Sequence, residues 1–479
     1  QLMRLALESG CAGFAWGEHE GRAGAHGVRA ALMYLMYQLD PGVCCPVTMT
    51  FAGTPALTSA TRSAVGRAWL PRLSARGYDE RDVPLLAKQS ATLGMSMTEK
   101  QGGSDVRANT TRATAVNAAD AGEGGEFTLV GHKWFTSAPM SDGFLTLAQT
   151  GEGVSCFLVP RWLPDGARNR GFGVQRLKAK LGDWSNASSE VEYNHAWGVM
   201  VGAPGRGVRT IVEMVVHTRL DCTIGSAALM RQCAQQAAHH AAHRATFGTR
   251  LAAAPLMRAV LADLALESEA AIATWGRLAS AFDAGAAAGG DVARREAALR
   301  RVGTAVAKYW VCKRAPGVAY EAMECFGGNG YVEEGPMARL YRQAPLNAIW
   351  EGSGNVICLD VLRSMRAEPD ALAAFVEELS RSRGAEPRYD ALVDDLAAEL
   401  RAGAADPSSL EPRARLVVDK MAIALQASCL LQRGHPDVAA AYCAARLPRD
   451  GQLGCANYGA QASEVGPAKD LLIDRVMAF

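Results

Sequence analysis

Glu351 is the carboxylate in this chain best placed by its neighbours for acid–base work. It stands between Trp350 and Gly352 in NAIWEGSGNVICLDVLRSM, residues 347–365. A carboxylate beside an aromatic ring and among small residues suits a dry pocket, and such a pocket favours a general base that operates near neutral pH. Ser353 and Asn355 follow, and their types also suit the N-cap of the apolar helix that begins there. Two glycine pairs offer bare backbone. In MTEKQGGSD (97–105) Gly102 and Gly103 permit close approach of a ligand, with Thr98 and Ser104 adding hydroxyls, although the same run makes a tight polar turn after a strand. In ECFGGNGY (324–331) Gly327 and Gly328 permit approach to a phosphate, and Glu324 beside them would repel one unless solvated or paired. HKWFTS (132–137) reads by itself as a core Trp134 beside a surface His132. In HRATFG (243–248) Arg244 and Phe247 are three apart, a spacing that shares one helical face. His239 and His243 have metal-ligand spacing, but no carboxylate lies in register, so they read as a solvated helix face and no metal is expected.

Three kinds of chain must position these groups. Residues 1–90 read as helical: 28–39 is densely apolar and stops at Pro41-Gly42, 46–51 is a short apolar run, and 63–74 suggests a further helix. From 93 to about 200, short β-branched and aromatic runs (127–131, 144–149, 156–159, 190–193) alternate with turn clusters, as in an antiparallel barrel or sandwich, with 118–125 as a solvated hairpin loop. Helical patterns return over 208–246, 255–285, 292–325 and 336–342 and in the segment after Glu351, and they are long enough to bury one another's apolar stripes as a bundle. Past Arg366, amphipathic stretches at 371–379 and 389–400 and an apolar one at 413–433, punctuated by Pro407, Pro412, Pro436 and Pro448, make a further small helical domain.

Composition excludes several classes. The 479 residues are 49% apolar and 21% charged, the balance of globular protein, and their number calls for two or more domains. A net charge of +1 means that any nucleic-acid site is a local patch. The 12 cysteines contain no C-x-x-C pair, which fits a reducing cytoplasm with neither a disulfide framework nor a zinc knuckle. The longest apolar run, 421–432, is too short to span a membrane. No signal peptide opens the chain, and a start at Gln1 that runs at once into LMRLALESG suggests a fragment of a longer protein. No βαβ pattern supports nicotinamide chemistry.

Taken together and in this order, the motifs resemble the acyl-CoA dehydrogenase flavoproteins, most closely the alkylation-response AidB branch, over about residues 25–365. The resemblance implies an α+β fold: an N-terminal helical domain (1–90), a middle antiparallel β-domain (91–205), a C-terminal helical bundle (206–366) and the extra helical extension of that branch (367–479). It implies bound FAD. Met97, Thr98, Gly103 and Ser104 match the run along the flavin ring, with Lys100 replacing the usual proline as in the AidB branch. Trp134 and Thr136 match residues that contact the isoalloxazine, with Ser137 in place of Asn. Ser353 and Asn355 match residues that touch FAD after the catalytic Glu. Arg244, Thr246, Phe247 and Gly328 match residues that reach the pyrophosphate and adenine end of FAD on a neighbouring subunit, which implies a homo-oligomer, a tetramer. Where the family has Gln, this chain has Glu324. Glu351 matches the base that removes the substrate α-proton, and Arg219, in HTRLD, matches an arginine near the substrate. Thr218 stands where members with their base on that helix carry Glu.

The implied activity is α,β-dehydrogenation of a short or branched acyl-CoA, with an electron-transfer flavoprotein as acceptor. AidB-type proteins are also associated with protection of double-stranded DNA. Here that would rest on Arg363, Arg366, Arg381, Arg383 and Arg388, because residues 367–479 hold twelve Lys and Arg against seventeen Asp and Glu.

Overall fold

The computed structural model describes residues 1–58, 64–287, 289–405, 409–448 and 457–477. The chain divides into two compact units, Gln1–Thr218 and Arg219–Phe479.

The first unit opens with α1 (Leu2–Glu8), α2 (Ala25–Leu39), α3 (Pro41–Thr58) and α4 (Ala64–Leu73). The expected stop at Pro41-Gly42 is also a start. Pro41 opens α3, where a missing N–H costs nothing, and the Asp40 carboxylate accepts from the Val43 amide at 3.0 Å. The apolar run at 46–51 is the middle of this helix. α3 is buried on nearly every side, so it shows no amphipathic period to betray it. The helix expected over 63–74 is α4, and Ser63 lies outside the described residues.

The strands are β1 (Leu93–Ser96), β2 (Arg112–Ala115), β3 (Glu126–Ser137), β4 (Gly143–Thr150), β5 (Gly153–Pro160), β6 (Phe172–Leu177) and β7 (Ser188–Val201). They pair in the order β1-β4-β2-β3-β7-β5, with β6 on β7, and the β4–β5 pairing closes the path into a barrel. The barrel is antiparallel apart from two pairings on β4: β1 runs parallel to it, Leu93 opposite Gly143, and Arg112 of β2 meets Gln149 in the parallel sense. Phe127, Leu129, Phe157, Val191, Tyr193 and Met200 make one core, while Leu57, Trp69, Leu93, Leu145 and Leu158 pack α3 and α4 against the strands.

The division between units falls within α5 (Gly207–His243), which is followed by the hairpin β8 (Ala245–Thr246) and β9 (Thr249–Arg250). The second unit continues with α6 (Pro255–Ala287), α7 (Gly290–Glu324), α8 (Pro336–Gln343), α9 (Gly354–Ala367), α10 (Pro369–Ser380), α11 (Pro387–Ala405), α12 (Ala414–Arg433), α13 (Pro436–Arg446), α14 (Ala462–Val465) and α15 (Lys469–Met477). The extension is not a free appendage: α12 packs on α6, α7 and α9. Buried ion pairs tie it down, with Arg277 of α6 held between Glu296 of α7 at 2.8 Å and Glu378 of α10 at 2.7 Å, and Arg446 of α13 bonded to Glu267 of α6 at 3.0 Å. Pro412, Pro436 and Pro448 fall at or beside helix ends as expected, and Pro407 lies outside the described residues.

Candidate active site

Glu351 sits on a short turn between a 3-10 segment, Leu346–Ala348, and α9. It is half-buried, and its φ of +58° is in the left-handed region, followed by Gly352 at +101°. An L-residue there costs roughly 1–2 kcal/mol, so the surrounding structure must impose the conformation. The holding bonds are visible. Lys308 of α7, 1% exposed, donates from Nζ to the Trp350 carbonyl at 2.8 Å and to the Gly352 carbonyl at 2.5 Å. Arg219 of α5 donates from Nε to the Glu351 carbonyl at 3.3 Å. Three consecutive carbonyls therefore face two buried cations. Asp360 of α9 fixes Arg219 at 2.5 Å and is itself gripped by Arg301 at 3.1 Å. Burial pushes the Asp360 carboxyl up, but Arg219 and Arg301 outweigh this and hold it below the ordinary range. Arg219, matched to an arginine near substrate, thus has its guanidinium engaged behind the turn, on backbone and Asp360.

Ser353 is the N-cap residue of α9, as its type suggests, yet its side chain makes no capping bond. It and Asn355 are exposed, and Asn355 Oδ1 accepts from Arg415 of α12 at 2.8 Å.

In the first unit the loop after β1 is pinned along β3. Glu99 and Lys133, both fully buried, pair at 3.0 Å. The Glu99 carboxylate also accepts from the Thr110 amide at 2.6 Å and the Thr111 amide at 3.1 Å, and Lys133 Nζ reaches the Leu147 carbonyl at 2.8 Å. The Trp134 amide donates to the Thr98 carbonyl at 2.8 Å, and the Lys100 amide donates to His132 Nε2 at 3.0 Å. His132 is therefore a loop anchor rather than a plain surface residue. Gly103 is required by space, since a Cβ there would lie 2.6 Å from Thr98 Oγ1. Gly103 and Ser104 are exposed, and Met97 and Thr98 are half-buried. Trp134 is half-buried rather than core, with Lys178 Nζ 3.3 Å from its ring centroid. Thr136 is fully buried and its hydroxyl shares a 2.6 Å bond with Ser96.

The segment 244–250 corrects a sequence expectation. Arg244 and Phe247 do not share a helical face, because α5 ends at His243 and Phe247-Gly248 form the tip of the β8–β9 hairpin, at φ +52° and +81°. Gly248 is the signal that spacing alone missed, since a glycine beside Thr246 and Thr249 marks a tight hairpin turn rather than a continuing helix. Arg244 is exposed, Thr246 half-buried, and Phe247 stands out at 105% exposure. Gly328 lies in the exposed 3-10 turn Gly327–Gly330, where Gly327 has φ +60°. Glu324 is solvated beside it and accepts from the Tyr320 hydroxyl at 3.3 Å. His243 Nδ1 lies 2.8 Å from the His239 carbonyl, and among the described residues no group of three or more potential ligands could hold a metal.

Three of the five arginines after Glu351 are ion-paired: Arg381 with Glu378 at 3.0 Å, Arg383 with Asp394 at 2.7 Å and Arg388 with Glu386 at 3.1 Å. Arg363 and Arg366 are exposed on the last turns of α9. No helix among the described residues is long and apolar enough to cross a membrane.

Sequence reasoning missed Lys308, Arg301, Asp360 and the Glu99–Lys133 pair. The signal for Lys308 was a lone lysine in the apolar helical run 304–312, TAVAKYWVC, where a charge must be compensated.

Comparison with known proteins bears on the whole constellation. Residues 1–80 match the adaptive response protein AidB N-terminal domain, 94–196 the acyl-CoA dehydrogenase middle domain, and 205–366 the acyl-CoA dehydrogenase C-terminal domain. The chain is 42% identical over 450 residues to the putative acyl-CoA dehydrogenase AidB of Escherichia coli K12, covering 94% of this chain and 79% of that protein. Its fold superposes on Caenorhabditis elegans ACDH-11, crystallised in complex with C11-CoA, with a TM-score of 0.83 at 25% identity, covering 99% of this chain and 82% of that one. A Bacillus anthracis acyl-CoA dehydrogenase complexed with FAD shares the fold, with a TM-score of 0.72 at 17% identity, covering 99% of this chain and 85% of that one. The chain belongs to the acyl-CoA dehydrogenase family of FAD-dependent oxidoreductases, in its AidB branch.

Proposed function

We propose that the chain oxidises an acyl-CoA thioester to its α,β-enoyl product, with Glu351 as the base that takes the α-proton. The observation that carries this reading is the turn itself: a half-buried carboxylate on a left-handed residue whose three surrounding carbonyls are held by buried cations. Strained, over-determined backbone of this kind is characteristic of sites whose geometry matters for function. The C11-CoA bound to ACDH-11 supports an acyl-CoA as substrate, and short and branched chains are the acyl groups we expect.

The residues present fit FAD. Ser353 keeps an N-cap hydroxyl without a capping bond, Gly327 and Gly328 have open space where a side chain would project, and the half-buried Trp134 beside the Thr98–Gly103 contact offers a ring and bare backbone. We assign Trp134, Met97, Thr98, Gly103 and Ser104 to the flavin ring, with Thr136 supporting that strand from within. Arg244, Thr246, Phe247 and Gly328 are assigned to the pyrophosphate and adenine end, and Ser353 and Asn355 to the turn beside the base. FAD, when bound, supplies the two-electron acceptor that this chemistry requires. The chain's own part is the proton: the Glu351 carboxylate accepts it from the α-carbon, and the held turn keeps the carboxylate aimed. Arg219 acts through the turn. An electron-transfer flavoprotein is the acceptor class we assign, and a homotetramer the assembly, as the match of Arg244 and Gly328 to family residues that reach FAD on a neighbouring subunit implies; the fully exposed Phe247 on a hairpin tip is consistent with a covering subunit.

The test is Glu351→Gln, with short-chain, branched and C11 acyl-CoAs mixed anaerobically with the FAD-loaded protein. The variant keeps its flavin spectrum and loses reduction by roughly 10²–10⁴-fold. An unchanged rate refutes the base assignment.

A second reading, weak duplex-DNA binding, is favoured by the exposed Arg363 and Arg366, one helical turn apart on α9.

A further inference from the structure

We propose that Lys308 is a positioning residue for Glu351. The proposal rests on the reading of Glu351 as the base and adds the residue that makes the base's conformation possible. Lys308 lies in α7, while the turn it grips connects the 3-10 segment Leu346–Ala348 to α9, so the two are far apart in sequence. Its ammonium bonds the carbonyls on both sides of Glu351, those of Trp350 and Gly352, and leaves the middle one to Arg219.

The geometry explains why an ammonium serves here. Positive φ at residues 351 and 352 turns the chain so that the carbonyls of residues 350 and 352 converge on one side. Converging carbonyl dipoles repel one another unless a cation lies at their focus. Lysine is suited to that place, because its three donors spread tetrahedrally and can meet carbonyls that are not parallel, whereas the planar guanidinium of Arg219 approaches from one edge. The burial of Lys308 is understood by the same contact. An ammonium at 1% exposure needs compensation, and among the described residues no carboxylate pairs with it. Turn and lysine therefore stabilise each other. Without the ammonium the left-handed residue has less to hold it, and relaxation to negative φ would swing the Cα–Cβ bond of Glu351 and re-aim its carboxylate.

The experiment uses Lys308→Met, of similar length but unable to donate, and Lys308→Gln, which keeps a single polar head, each alone and combined with Glu351→Gln in the FAD-loaded protein. Flavin content, thermal midpoint, KM and the single-turnover rate of flavin reduction by acyl-CoA are measured. We expect Lys308→Met to keep FAD and KM while the reduction rate falls about 100-fold, the scale of an ångström of misplacement. Lys308→Gln should fall less. In the Glu351→Gln background Lys308→Met should produce no further fall, since it acts only through Glu351. A wild-type rate in Lys308→Met, with Glu351→Gln impaired, overturns the proposal and leaves the base reading standing. A wild-type rate in Glu351→Gln overturns the base reading first. A double variant as slow as the product of the two single losses shows that Lys308 acts elsewhere and overturns the proposal.

Wild-type protein without cofactor supplies a readout independent of activity and of the variants' folding. Its crystal structure should place the Lys308 ammonium within hydrogen-bond distance of the Trp350 and Gly352 carbonyls with Glu351 at positive φ, whereas a lysine turned away from both carbonyls while Glu351 keeps positive φ overturns the proposal.

Discussion

Arg415 of α12 donates from Nε to Asn355 Oδ1 at 2.8 Å, so the C-terminal extension touches the first turn of the helix that follows Glu351. The approach is close enough that a Cβ on Gly354 would lie 3.5 Å from Arg415 Nη2 and 3.2 Å from Lys313 Nζ. The extension is thus part of the frame that holds the first turn of α9. Arg415→Ala removes an exposed, charge-assisted bond, which costs about 0.5–1.5 kcal/mol at most. We expect the thermal midpoint to move little and FAD to be retained less well, because the first turn of α9 loses its tether. The check is the ratio of flavin to protein absorbance after gel filtration, and equal retention by the variant would show that the extension does not support the cofactor.

The Glu99–Lys133 pair makes a pH prediction. Burial raises the Glu99 carboxyl, but hydrogen bonds from Thr111 and Thr110 and the Lys133 charge overcome this and hold it at about 2. A carboxyl depressed in the folded state contributes stability that is complete above its unfolded value, near 4.5, and is lost as pH falls through about 2. Lys133→Met should therefore destabilise the protein by roughly 3–5 kcal/mol at neutral pH, because it leaves a buried carboxylate uncompensated. It should also flatten the acid limb of stability between those two pH values. Denaturant unfolding of the wild type and variant across that range decides it, and parallel acid limbs would contradict the assignment.

Much of this is legible in the sequence, for physical reasons that differ by element. The long helices α6 and α7 announce themselves through apolar stripes, and the strands through short runs between turn residues. α3 escapes a reading by periodicity because a helix buried all round has no period, and 244–250 escapes one by spacing because the chain has left α5 at His243 and turns back on itself at Phe247-Gly248. The types and local order of Trp134 and Gly103 in the first unit, and of Glu351 and Ser353 in the second, carry information. What a single sequence does not carry is pairing at distance. A lone lysine in an apolar run shows that Lys308 needs compensation but not that the carbonyls of residues 350 and 352 supply it, Glu99 and Lys133 lie far apart in the chain, and nothing local to Arg219 shows that Asp360 holds it.

Phe247 tests the assembly. A phenylalanine at 105% exposure, on a hairpin tip held at positive φ, leaves a large apolar side chain in water unless a neighbouring subunit covers it. Burying such a side chain is worth about 1.5–3 kcal/mol. Phe247→Ser should weaken self-association by about tenfold or more per interface, since each 1.4 kcal/mol is a factor of ten. Arg244→Ala should lose FAD and self-association together. Light scattering over a dilution series, read beside the flavin absorbance, is the measurement, and a flavin-loaded monomer of wild-type protein would refute the tetramer.

Duplex binding is predicted to be local and weak. Arg381, Arg383 and Arg388 are already engaged by Glu378, Asp394 and Glu386, which leaves Arg363 and Arg366 as the exposed pair on α9. Copies of this pair in an oligomer would add, so a patch too small to hold DNA alone acts several times at once. Binding should be independent of sequence, rest on phosphate contacts and fall steeply with salt. Arg363→Gln should flatten the dependence of log affinity on log salt by about one unit for each phosphate it no longer neutralises, and leave flavin reduction untouched. Arg388→Gln, whose charge is paired with Glu386, should leave that slope unchanged and serves as the control. Salt titration of a labelled duplex against the three proteins separates the outcomes. Equal slopes for wild type and Arg363→Gln would place any DNA contact elsewhere on the chain, and tight binding insensitive to salt would show that phosphate contacts are not its basis.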